Sequence, residues 1–236
     1  MVSKKKIVLF LVEGINDKTA LGVALIKLIS TRTVRFEITY GDITSDIETS
    51  TSNILRKLGD IVNRFRGKIY KKSDFLEIVH LIDLDGTFVP KKAIVYLDCD
   101  NPIYENETIK CKNVDYINAR NIRKQGLINK LVATSKICDI PYSLYFFSSN
   151  LDHVLFNEPN LSKKEKAAKA DEIERKFNEN PTALLLILNH VEICLCNNYQ
   201  QSWQDIAQGT ESLHRHSNFN VFFGSYPKNP SVLYND

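Results

Sequence analysis

The chain has 236 residues, of which 43% are hydrophobic and 25% charged, an ordinary globular balance. That length accommodates one domain with an appendage, or two small ones, and buries a sizeable core without staples. A formal net charge of +3 excludes a strongly basic, tail-type nucleic-acid binder but leaves room for a local basic face.

Residues 6–12, KIVLFLV, form a β-branched, apolar run between polar flanks, which predicts a central strand buried on both faces. Lys4, Lys5 and Lys6 precede it as a solvated flank. Glu13 ends the run after six apolar residues, too few for a signal-peptide core or for a membrane span of about 20. A helix follows over DKTALGVALIKLIS, with Leu21, Ala24, Leu25 and Leu28 on one stripe. VRFEITY (34–40) predicts a second strand, ended by Gly41 and Asp42. Residues 46–65 predict a second helix, with Ile47, Ile54, Leu58, Ile61, Val62 and Phe65 at helical spacing and Lys57, Arg64 and Arg66 off that stripe. FLEIVHLID (75–83) predicts a third strand, closed by the turn DLDGT. Strand, helix, strand, helix, strand is the order of a right-handed parallel α/β sheet.

The next stretch is less regular. AIVYLDCD (93–100) suits a further strand or edge segment, and NPIYENETIKCKN a loop or hairpin. A helix is expected over 120–135, a strand over 142–149, and another helix from LDHVLF. Residues 162–180 predict a charged helix that opens on a capping box, Ser162 with Glu165. Residues 182–199 predict the most apolar helix, packing the C-terminal part onto the sheet. The last thirty-odd residues, aromatic and Asn-rich, carry no pattern that places them. The expected organisation is an α/β domain over 1–157 with a mainly helical extension over 158–236 packed on it. Cys99, Cys111, Cys138, Cys194 and Cys196 are odd in number and contain no CxxC pair, which predicts free thiols in or near the core and a reducing, cytoplasmic setting.

Chemistry concentrates at strand ends. In a parallel sheet the functional edge is the carboxyl end of the strands, and Glu13 stands there directly after the first strand. Gly14 permits the turn into the helix, whose first turn holds Asp17, placed either to cap that helix or to join a site. Asp83 and Asp85 close the third strand. Carboxylates at i and i+2 point to one side of an extended chain and repel each other, so such a pair calls for a cation or a proton. Mg²⁺, with its preference for oxygen ligands and retained waters, suits it; the alternative is an acidic turn that uses Asp and Gly for backbone reasons.

Taken together, Val12-Glu13-Gly14 with Asp17, and Asp83-Leu84-Asp85-Gly86, resemble the paired motifs of the topoisomerase-primase (TOPRIM) domain, a strand with Glu-Gly and a later strand with DxD. The resemblance covers residues 6–86 and extends toward residue 157. Within that superfamily the chain is similar to nucleases of the overcoming-lysogenization-defect type and related phage-defence proteins. It lacks the large additional domains of topoisomerases and the zinc module of bacterial primases. The resemblance implies a TOPRIM-like sheet flanked by helices, a Mg²⁺ or Mn²⁺ cofactor, and cleavage of DNA or RNA. Glu13, Asp83 and Asp85 would hold one ion. Asp17 would help with a second, as would Asp152 of SSNLDHVLF, where the family more often has Glu. A lysine beyond that last motif, matched here by position to Lys163, assists in the related nucleases.

Arg120, Arg123 and Lys124, clustered on one helix, are candidate phosphate contacts, with surface solvation as the plainer role. Lys124 and Lys163 are also candidates to offset charge in a transition state. His80 suits the core, His153 adjoins Asp152, and His214 with His216 would form a zinc site only with further ligands. P-loop, GxGxxG, GxSxG and HExxH patterns are absent. Two other functions compete with the nuclease. One is a non-catalytic, TOPRIM-derived module that binds nucleic acid or a partner protein, such as a defence-system component or a second copy of the chain. The other is a phosphatase of the haloacid-dehalogenase type, whose DxDGT motif DLDGT resembles, with Asp83 as nucleophile and Asp85 as acid.

Overall fold

A computed structural model describes residues 6–29, 32–39 and 41–224. A five-stranded sheet runs in the order β2 (Thr33–Ile38), β1 (Ile7–Val12), β3 (Phe75–Asp83), β8 (Ile140–Phe147), β7 (Lys136–Ile137). The first four of these are parallel, and β7 pairs antiparallel to β8. Every residue of β1 is buried, because the strand is covered on both faces. Its side chains alternate between two apolar clusters, as the two-residue period of a strand requires.

Val8, Phe10 and Val12 face α1 (Ile15–Leu28), α5 (Lys163–Glu179), α6 (Thr182–Leu188) and the aromatic pair Phe219 and Phe222. Ile7, Leu9 and Leu11 face α2 (Ile54–Arg66), α3 (Val114–Val132) and Trp203 of α7 (Tyr199–Asp205). The result is a mostly parallel sheet between two helical layers. A smaller sheet, ordered β4 (Ile94–Tyr96), β6 (Ile109–Cys111), β5 (Ile103–Tyr104), lies between β3 and α3 in sequence and has its own core around Val89, Ile109, Ile117 and Leu213. The helix α4 (Leu151–Phe156) follows β8, and α8 (Asn220–Gly224) ends the described chain.

Several elements differ from the sequence expectation. The helix predicted over 46–65 starts at Ile54, and Ile47 is 75% exposed rather than on the buried stripe. The Asp46 carboxylate accepts hydrogen bonds from the Glu48 amide and the Thr49 hydroxyl, a local turn that displaces the first helical turns. The segment 93–100 supplies only the short β4, in the small sheet, and 103–111 forms the antiparallel β5–β6 hairpin. The apolar helix expected to reach residue 199 stops at Leu188. There the Asn189 side chain bonds back to the Leu185 carbonyl, and Val191 stands 85% exposed in a polar turn.

Residues 211–224, which no pattern placed, run along the sheet edge and into the core. Cys111 is buried and the other four cysteines are partly exposed; all five are free thiols. Among the described residues no helix is long and apolar enough to cross a membrane. Lys4, Lys5, Ser30, Tyr40 and residues 225–236 lie outside the described residues.

Candidate metal centre

The carboxyl ends of β1, β2, β3 and β8 share one edge, and each delivers an acid. Glu13 follows β1, Asp42 follows β2, Asp83 ends β3, and Asp152 sits in the first turn of α4 after β8. A carboxylate oxygen of Glu13 accepts the Asp83 amide at 3.1 Å, which ties the first and third strand ends together. Asp83 Oδ1 in turn accepts the Leu151 amide at 2.9 Å, at the start of α4. Asp17 accepts the Gly14 amide at 2.8 Å, so it caps α1, and its carboxylate also faces the site. Glu13, Asp17, Asp83 and Asp152 line one pocket of about 590 Å³, together with Lys163, Lys166 and Phe156.

Asp85 goes elsewhere. Its backbone is left-handed (φ 51°), as is that of Gly86 (φ 63°). The i, i+2 rule holds only for an extended chain, so Asp83 and Asp85 do not share a side. Gly86 is required here twice over: the conformation is costly for other residues, and a Cβ would come within 2.5 Å of Leu213. The reversal turns Asp85 toward α3, where its carboxylate meets Lys124 Nζ at 2.7 Å and the Tyr104 hydroxyl at 3.4 Å. Asp83 lines the carboxylate pocket, and Asp85 is not among the residues that line it.

The basic residues singled out on α3 are internal braces. Lys124 is fully buried and bridges Asp42 (2.5 Å) and Asp85 (2.7 Å). Arg120 is 7% exposed and donates to the Asp85 carbonyl, the Asn121 side chain and the Tyr104 hydroxyl. Arg123 donates to the Ser45 carbonyl. Arg120 and Lys124 are thus committed inside the fold, whereas Arg123 is half-buried. Lys163 is exposed at the pocket mouth. Lys166, one turn further along α5, pairs with Asp152 at 2.8 Å.

Comparison with known proteins finds no match among family models, curated proteins or solved structures. The edge is therefore interpreted from its own electrostatics. Burial pushes the Glu13 carboxyl well above its ordinary value, and the charges of Asp42 and Asp83 push it further, with Lys124 opposing. Asp83 is raised in the same way, by burial and then by Asp17 and Asp85. Asp17 is raised to about 6, again chiefly by burial, against the hydrogen bond from Gly14. Asp42 behaves oppositely: burial disfavours its charge, but Lys124, Ser45 and Thr44 outweigh that and hold it well below the carboxylate range.

Three crowded carboxylates with raised values mark a place where added positive charge is favoured. The donors are all hard oxygens, which suits Mg²⁺ or Mn²⁺. Among the described residues no three of these acids bring ligand oxygens within 4.8 Å of one another. The arrangement thus fits an ion held by one or two carboxylates and otherwise by water, the usual manner of Mg²⁺.

Sequence reasoning missed Asp42, Lys166 and Tyr104. Asp42 had a usable signal, since it lies just beyond the carboxyl end of a parallel strand, as Glu13 does beyond β1. Lys166 stands three residues after Lys163 on the same helix face. Tyr104 had none. His153 is buried against Ser149, and its ring does not line the pocket. His80 is buried with Nδ1 at 2.9 Å from the Tyr142 hydroxyl.

Proposed function

We propose that this protein is a small, TOPRIM-like nuclease that binds Mg²⁺ or Mn²⁺ at Glu13 and Asp83, with Asp17 beside them, and cleaves phosphodiester bonds of DNA or RNA. The observation that carries this is the convergence of Glu13, Asp17, Asp83 and Asp152 on one open pocket at the carboxyl edge, with too few cations inside it to neutralise them. The motif likeness of residues 6–86 adds support. A place in defence against phage or mobile elements rests on that likeness alone, and a cytoplasmic setting suits five free thiols.

When bound, the ion supplies Lewis-acid stabilisation of a phosphoryl oxygen and lowers the pKa of a water. The chain itself does the positioning. Glu13 and Asp83 are locked to each other through the Asp83 amide, so the two strand ends cannot drift apart. Lys166, fixed by Asp152, and Lys163, free at the mouth, approach from α5 and offset charge on a bound phosphate. Asp85, Asp42 and Lys124 act beneath this set and keep the turn after β3 in place.

The deciding experiment incubates the purified chain with single- and double-stranded DNA and RNA in Mg²⁺ or Mn²⁺. Cleavage that EDTA stops, and that Asp83→Ala abolishes while circular dichroism stays unchanged, is the expected result. Intact substrates together with no metal uptake by calorimetry would overturn the proposal. One observation favours a second function, a non-catalytic binding module: among the described residues no three acids of the edge bring ligand oxygens within 4.8 Å of one another. Retained nucleic-acid binding in EDTA, without cleavage on adding Mg²⁺, would select it.

A further inference from the structure

Outside the carboxylate pocket, Glu211, His214 and His216 are the one set of three or more ligand-type side chains, among the described residues, whose donor atoms all lie within 4.8 Å of one another. Glu211 Oε2 stands 3.0 Å from His216 Nε2 and 3.7 Å from His214 Nδ1. Donors at tetrahedral positions around an ion at zinc-ligand distances are about 3.4 Å apart, so these separations bracket the required spacing. We propose that Glu211, His214 and His216 bind one transition-metal ion of the Zn²⁺ class, with water completing the shell.

The other nitrogen of His214 strengthens the case. His214 Nε2 is buried without a hydrogen bond and faces Glu107 Oε1 at 3.4 Å. A ligating histidine that presents its second N–H to a carboxylate is the usual outer-shell arrangement of metal sites. With the ion on Nδ1, Nε2 keeps the proton beside Glu107, which the Thr210 hydroxyl holds through its other oxygen at 3.0 Å, and a small turn of the ring would complete that hydrogen bond. Glu107 is therefore a positioning residue rather than a ligand.

The backbone around the cluster is fixed before any ion arrives. The His216 carbonyl accepts the Ser148 amide at 2.9 Å, and the His216 amide donates to the Ser148 hydroxyl at 3.0 Å. That hydroxyl also donates to the His214 carbonyl. Leu213 is buried in the core of the small sheet, against Gly86. A site whose ligands sit on a pinned segment loses little freedom on binding. The donor set also separates it from the carboxylate pocket: imidazole nitrogens with one carboxylate favour Zn²⁺ over Mg²⁺. Bound there, the ion would clamp residues 211–216 beside the turn after β3 and the end of β8.

The test uses the full chain carrying Asp83→Asn, stripped with a chelator and titrated with Zn²⁺ by calorimetry in excess Mg²⁺. Substitution of Co²⁺ reports coordination by its visible d–d absorption. One ion per chain, lost in Glu211→Gln and in His216→Ala and weakened roughly 10- to 100-fold in Glu107→Gln, is the expected pattern. Glu211→Gln keeps the side-chain volume and a hydrogen-bond acceptor for His216, so it tests ligation without the loss of packing that an alanine brings. The thermal midpoint of the parent should rise with Zn²⁺, and that of Glu211→Gln should not. No uptake by the folded parent, or uptake unchanged in Glu211→Gln, overturns the site.

Discussion

On the α3 side of the sheet edge, Asp42 and Asp85 close on the buried Lys124 at 2.5 and 2.7 Å, and Asp42 is held firmly ionised. On the α1 side, Glu13, Asp17, Asp83 and Asp152 surround an open pocket whose cations, Lys163 and Lys166, lie toward the solvent. Asp83 and Asp85 are two residues apart yet fall on opposite sides of this divide, because the left-handed backbone at Asp85 and Gly86 turns the second acid away. The same residue type is thus structural in one half and under-compensated in the other. Position in a motif does not decide which; the nearest cation does.

The largest expected effect breaks the closed half. Lys124→Met leaves Asp42 and Asp85 without their cation and should destabilise the chain by about 3–5 kcal/mol, measured by urea unfolding. A loss under about 1 kcal/mol would show that Lys124 does not hold this half together. The second effect is pH-dependent and comes from His80, beneath that half. Burial lowers its folded pKa to about 4, with Asp42 opposing, against an ordinary 6.5. The unfolded chain therefore takes up the proton first as pH falls. Stability from this group is fully present above 6.5 and declines toward pH 4, by about 3 kcal/mol. Asp17, raised to about 6, works in the opposite sense between pH 4 and 6. The measurement is accordingly the difference in unfolding free energy between wild type and His80→Gln across that range, which should shrink as pH drops.

Smaller effects contrast the two acids of the turn. In metal-free protein, Asp83→Asn removes an acid whose charge burial and its neighbours Asp17 and Asp85 disfavour, keeps an oxygen for the Leu151 amide, and should stabilise the chain. Asp85→Asn loses its ion pair with Lys124 and should destabilise. Thermal melts of the two variants with opposite signs sharpen the division; equal signs dissolve it. Smallest is Lys166→Ala. Its pair with Asp152 is partly exposed, so stability should change by less than about 1 kcal/mol even where activity falls.

Much of this was legible in the sequence because it follows from periodicity. KIVLFLV could only be a strand covered on both faces, and the helix–strand alternation that follows brings the residues after β1 and β3 to one edge. Glu13, Asp17 and Asp83 could be located from that alone, whereas Asp152 entered only through the motif likeness. Four things were hidden. The direction of Asp85 depends on two left-handed residues, which no side-chain pattern reports. The burial of Arg120 and Lys124 depends on where α3 packs, and charged residues on a helix read as surface by default. The shortening of the 182–199 helix depends on side-chain bonds such as that of Asn189 to the Leu185 carbonyl. The meeting of His214 and His216 with Glu211 needed the path of the last described segment, whose sequence has neither helical nor strand period.

The division of the edge is tested most directly by crystals soaked in Mn²⁺, with anomalous scattering used to locate the ion. Peak density between Glu13 and Asp83, within reach of Asp17 and with Lys124 still on Asp42 and Asp85, is the predicted result. Density at Asp42 and Asp85 with Lys124 displaced, or none near Glu13, would contradict it.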